Sequence, residues 1–154
     1  MATIKPTFAL TANSSSAATP GPLSIALSLS ATDSLDVTKV ETKILDVKGD
    51  HTASTDGGIL WDASDYTASG EAGTDGGFVY VKNIAASDSG RNIMIGAGTL
   101  ENLSSNGEAD RLFTLKPGEF AWFPWDCTQD INYDANGDTS SALESWVFIR
   151  TGTA

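Results

Sequence analysis

At 154 residues the chain has the length of one ordinary domain. An apolar content of 40%, with four Trp and six Phe, excludes a wholly disordered polymer. Nine Lys and Arg stand against 20 Asp and Glu, and the resulting charge of −11 excludes the positive surface that nucleic-acid phosphates or an anionic membrane require.

In chain order, residues 1–22 read as a flexible or extended N-terminal arm. Their core, 11–22, is Ser, Ala, Thr, Pro and Gly, which offer little to a hydrophobic interior. The arm either frays or lies on a neighbouring subunit. The ordered domain is expected over 23–154. Leu23, Ile25, Leu27 and Leu29 alternate with small or polar residues, the period of a half-buried strand. Over 37–47, Thr38, Val40, Thr42 and Ile44 fit one strand face and Lys39, Glu41 and Lys43 the other, although Val37, Val40, Ile44 and Leu45 also fit a helical stripe. The β-branched content favours the strand.

Thr55-Asp56-Gly57-Gly58 and Thr74-Asp75-Gly76-Gly77 each deliver a short hydrophobic strand, the same turn chemistry used twice. Asn92 to Ile95 and Arg111 to Leu115 follow, the second announced by the Asn106-Gly107 hairpin pair. Pro117-Gly118 predicts a type II turn into a strand over 120–125. Ile131 to Tyr133 and Ala142 to Ile149 complete seven to nine short strands with no long helical stripe. The expected fold is all-β, an antiparallel β-sandwich of jelly-roll-like kind with the N-terminal arm ahead of it.

Chemistry is sparse. Cys127 and His51 are the single cysteine and the single histidine, so a Cys–His nucleophile or a multi-histidine metal site is not expected. Asn132, Asp134, Asn136, Gly137 and Asp138 resemble a calcium loop, but its twelfth position is Leu143, with Glu144 one place late, and an Asn-Gly hairpin explains the same residues. No catalytic residue, metal or cofactor is therefore expected. No leader or apolar membrane span is read, which leads us to expect a soluble protein made in a cytoplasm.

The densest feature is Phe120-Ala121-Trp122-Phe123-Pro124-Trp125. A strand places Phe120 and Trp122 on one face and Phe123 and Trp125 on the other, and both faces want cover. That cover is the domain's own core, a subunit interface, or a sugar ring stacked on Trp.

From Gly77 onward the order of strands, with Leu115-Lys116-Pro117-Gly118-Glu119 leading to Phe123-Pro124 and Leu143 to Phe148 at the end, resembles small structural proteins of tailed bacteriophage virions, of the capsid decoration (cement) type. It covers about half the chain. The resemblance implies a non-enzymatic virion protein on the outer surface of a capsid, often a homotrimer, whose partner is the major capsid protein or another virion protein. A tail or fibre component and a carbohydrate-binding β-sandwich module are the alternatives.

Overall fold

The computed structural model describes residues 2–4, 7–11, 26–30, 35–47, 57–67, 76–86, 90–97, 111–135 and 141–150. They fall into two compact units, Met1–Val37 and Thr38–Ala154.

In the first unit, β1 (Ala2–Ile4) runs antiparallel to the first residues of β4 (Leu35–Val47), with Ala2 opposite Val37 and Ile4 opposite Leu35. Strands β2 (Thr7–Thr11) and β3 (Ala26–Ser30) pair antiparallel, Phe8 opposite Leu29 and Leu10 opposite Leu27. Two strands thus lie inside the segment read from composition as an arm. Phe8 and Leu10 alternate with Thr7, Ala9 and Thr11, a short period-two run that supports pairing. The Ser- and Ala-rich stretch 12–25 lies outside the described residues.

The second unit is a β-sandwich of two four-stranded antiparallel sheets. The first has the order β4-β11-β6-β9, with β6 at Gly77–Asn83, β9 at Phe120–Trp125 and β11 at Ser141–Arg150. The second has the order β5-β10-β7-β8, with β5 at Gly57–Trp61, β7 at Ile93–Ala97, β8 at Arg111–Leu115 and β10 at Ile131–Ala135. Among the described residues one single-turn helix, α1 (Ser64–Thr67), follows β5. Its first turn is fixed by Asp62, whose Oδ1 accepts the Ser64 N–H at 2.8 Å and the Ser64 hydroxyl at 2.6 Å. The strands that follow the two TDGG runs lie in different sheets, β5 in the second and β6 in the first; Gly57, Gly58 and Gly77 are already strand residues, and 55–56 and 74–75 lie outside the described residues.

Alternation decides what each strand contributes. Val79 and Val81 of β6, Leu143, Val147 and Ile149 of β11, and Ile93 and Ile95 of β7 are all fully buried between the sheets. Two polar joints cross that core. The Trp61 indole N–H donates to Ser145 Oγ at 2.8 Å, and the Ser145 hydroxyl donates to the Tyr80 carbonyl at 2.9 Å. Buried Asn83, at the end of β6, donates through Nδ2 to the carbonyls of Arg91 at 2.7 Å and Leu115 at 3.0 Å, and accepts at Oδ1 from the Ala85 N–H and the Ser141 hydroxyl. A buried amide with every bond made fixes one arrangement of its neighbours.

The same Asn83 anchors the turn into β9. Its backbone N–H donates to the Glu119 carbonyl and its carbonyl accepts the Gly118 N–H. The turn closes by a bond from the Glu119 N–H to the Lys116 carbonyl at 2.9 Å, and Gly118 sits at φ 83°, which supplies the left-handed residue that the Pro-Gly pair announced. At the start of β6, a Cβ on Gly77 would collide with the Phe148 carbonyl, so glycine here lets β6 and β11 approach.

Candidate interaction surface

Strands β11, β6 and β9 send their inward positions to the core, and their other positions form the outer face of the first sheet. Register arranges nine of these in three rows. Glu144, Lys82 and Phe120 lie across the first row, Trp146, Tyr80 and Trp122 across the second, and Phe148, Phe78 and Pro124 across the third. Beside β11, β4 adds Val40 and Ile44, which are 41% and 74% exposed. Phe120 is 55% exposed, Trp122 37% and Trp146 38%.

The rings pack on one another along the face. Phe78 stacks on Trp122 with centroids 5.4 Å apart and planes at 15°. Trp122 meets Phe148 at 5.1 Å, and Phe148 stacks on Trp146 at 6.2 Å and 14°. Tyr80 lies 6.1 Å from Phe120. These contacts hold the side chains in place, so an incoming surface would meet a face already ordered. They also cover part of the rings, Phe78 stacking on one face of Trp122 and Phe148 meeting it at a 46° tilt. Trp122 has Phe78 and Phe148 against it, whereas a pyranose needs an open ring face to stack on.

Charge on this face is small: Lys82 on β6, Glu144 on β11 and exposed Asp46 on β4. Lys82 and Glu144 are cross-strand neighbours in the same row. Glu144 Oε1 accepts the Trp146 indole N–H at 3.0 Å. Burial, and after it the Glu144 carboxylate, holds the Tyr80 phenol above its ordinary range, so it stays neutral.

Of the four residues singled out in sequence, the structure separates two pairs. Phe120 and Trp122 stand on the outer face. Trp125 is 5% exposed in the core, its indole N–H donating to the Gln129 carbonyl at 2.8 Å, and Phe123 packs edge-on against Phe113 at 5.5 Å on the inner side. Sequence reasoning did not gather Phe78, Tyr80, Trp146 and Phe148 into the surface. The signal was present, because in β6 and β11 both alternating sets carry bulky apolar residues, which a strand with one wet face does not need.

A second cluster lies on the inner side of β4. Lys43 Nζ stands 4.2 Å from the Trp61 ring centroid and donates to the Leu60 carbonyl. Lys39 Nζ lies 5.1 Å from the Tyr66 ring and 2.9 Å from Glu41, whose Oε2 accepts the Tyr66 hydroxyl at 2.9 Å. Tyr66 packs edge-on against Trp61 and Trp125. Burial, then the bond to Glu41, drives the Tyr66 phenol far above its ordinary range. The bond from Lys39 comes first among the causes holding Glu41 below the ordinary carboxylate value. Every charged head here is engaged with a ring or an opposite charge, and the cluster seals one side of the core.

Cys127 is fully buried in the core. Asn132 and Asp134 of the calcium-like run are buried in β10, while His51 and 136–138 lie outside the described residues. Among the described residues no group of three or more His, Cys, Asp or Glu side chains converges on a point. No family model matches the chain, and no curated protein is detectably similar to it.

Proposed function

We propose that the chain is a non-enzymatic structural protein of a tailed-bacteriophage virion, a capsid decoration protein that stabilises the outer shell by burying surface across its subunits. The observation that carries this reading is the ordered aromatic face on β11, β6 and β9. A sandwich with an ordered, partly exposed aromatic sheet face is suited to docking, which requires area and complementarity rather than a reacting group. The virion setting comes from the resemblance around the Pro117-Gly118 turn and the strands beside it. A protein that binds the assembled shell better than free subunits stabilises assembly by mass action. On this reading its partner is the major capsid protein, it is made in the host cytoplasm, and its acidic, Ser- and Thr-rich exterior keeps many copies soluble on a particle.

The test is density-gradient purification of particles from a tailed phage that carries this gene. The chain is expected in washed particles at a stoichiometry fixed by the shell lattice, and Trp122→Glu is expected to reduce that occupancy at least about tenfold, as charge at the centre of an apolar interface does. Absence of the unaltered chain from washed particles would overturn the reading.

A further inference from the structure

We infer that the outer aromatic face is self-complementary and pairs with a second copy of this chain about a two-fold axis running along the strands between β11 and β6. The inference rests on reading this face as an interface, and it goes further by naming what covers it in the free protein, a second copy that docking on the shell would displace. In the register of the sheet Glu144 lies beside Lys82, Trp146 beside Tyr80, and Phe148 beside Phe78. A two-fold axis parallel to the strands and midway between β11 and β6 carries β11 of one copy onto β6 of the other at the same height. Glu144 of each copy then faces Lys82 of the other, Trp146 faces Tyr80, and Phe148 faces Phe78. Two opposite-charge contacts lie at one end of the nine positions, no like charges among those nine meet, and β9 of each copy faces the outer side of β4 of the other, with Val40, Thr42, Ile44 and Asp46.

Charge also permits pairing on this face. The chain carries −11, so two copies repel over most of their surface. On the nine positions Lys82 and Glu144 cancel, and exposed Asp46 on the same side of β4 leaves the described four-strand face at −1, a small share of the −11. Size sets the strength. Four strands about 4.8 Å apart, over about six residues at ~3.3 Å each, offer roughly 400 Å² per copy. The total of roughly 800 Å² falls below the ~1,000 Å² of a stable specific interface, so pairing is weak and depends on concentration.

The experiment is sedimentation equilibrium of the full chain up to about 1 mM, where even weak pairing is populated. The unaltered chain is expected to approach twice its 16.1 kDa mass. Lys82→Glu and Glu144→Lys, each alone, place like charges across the axis and are expected to weaken pairing about tenfold or more. Mixing those two variants restores opposite charges at both contacts, so mixed pairs should form while each variant alone stays monomeric. A change confined to one copy's folding cannot produce that rescue. A monomer at all concentrations, a trimer, or single variants that pair as well as the unaltered chain would each overturn the inference. Presence or absence of the chain on phage particles bears on the virion setting and leaves this result unchanged.

Discussion

Single side chains on β4 show how this sandwich tolerates charge beside its core. Lys43 lays its ammonium over Trp61, and Glu41 receives both Lys39 and the Tyr66 hydroxyl. The sign of the Glu41 effect follows from its depressed value. Its folded pKa lies below the ordinary 4.5, so its contribution is present above that value and is lost as pH falls through the folded pKa. Glu41→Gln should therefore cost stability at neutral pH, and the gap from the unaltered chain should shrink at about pH 3. Urea unfolding midpoints at the two pH values measure this, and a gap that widens in acid would contradict the assignment. Since Glu41 is more than a third exposed, solvent screens the pair and the effect is small.

At the scale of elements, β4 mixes charged and apolar side chains on both faces, with Val37, Leu45 and Val47 also inward and Asp46 also outward. Its charged residues Lys39, Glu41 and Lys43 lie half-buried on the inner side, and Val40 and Ile44 face outward. One residue of slip would exchange the two faces. Two substitutions distinguish these arrangements. Ile44→Thr should change stability by no more than about 0.5 kcal/mol, as exposed sites do. Val47→Thr, at a position 1% exposed, should cost about 1–3 kcal/mol by burying a hydroxyl in an apolar site. Thermal or urea denaturation of the two variants decides it, and equal costs would contradict the register.

The facing of β4 also marks where sequence stopped informing. The strands over 78–81, 111–115, 120–125 and 142–149 were legible from alternation and turn residues, and the Pro117-Gly118 turn from the φ requirement of its glycine. Which face of β4 turns inward was not, because aromatic rings on β5 and α1 supply the partners for its lysines, and those are distant in sequence. Two of the six aromatic residues of the interaction surface were legible, for the same reason in reverse. Phe120 and Trp122 stand out in a dense local cluster, whereas Phe78, Trp146 and Phe148 join them only through the pairing of β11, β6 and β9.

For the whole molecule, two opposed tendencies are built into one sequence. A charge of −11 keeps copies apart, and an ordered aromatic face draws them together. Salt separates the two contributions. Repulsion between whole molecules acts across the solvent and is screened beyond about 10 Å at 0.1 M salt and about 3 Å at 1 M. Apolar burial at the face is not weakened by that screening, and the two Glu144–Lys82 contacts lie at its edge, where water already limits their strength. The long-range term therefore governs the balance, and self-association should strengthen several-fold when salt rises from about 0.05 M to about 0.5 M. Light scattering across that range measures it. Weakening with salt would mean that ion pairs rather than the aromatic rows hold the copies together. Trp146→Ser should lower association at both salt levels while preserving the direction of the response, because it removes apolar area and leaves the net charge at −11.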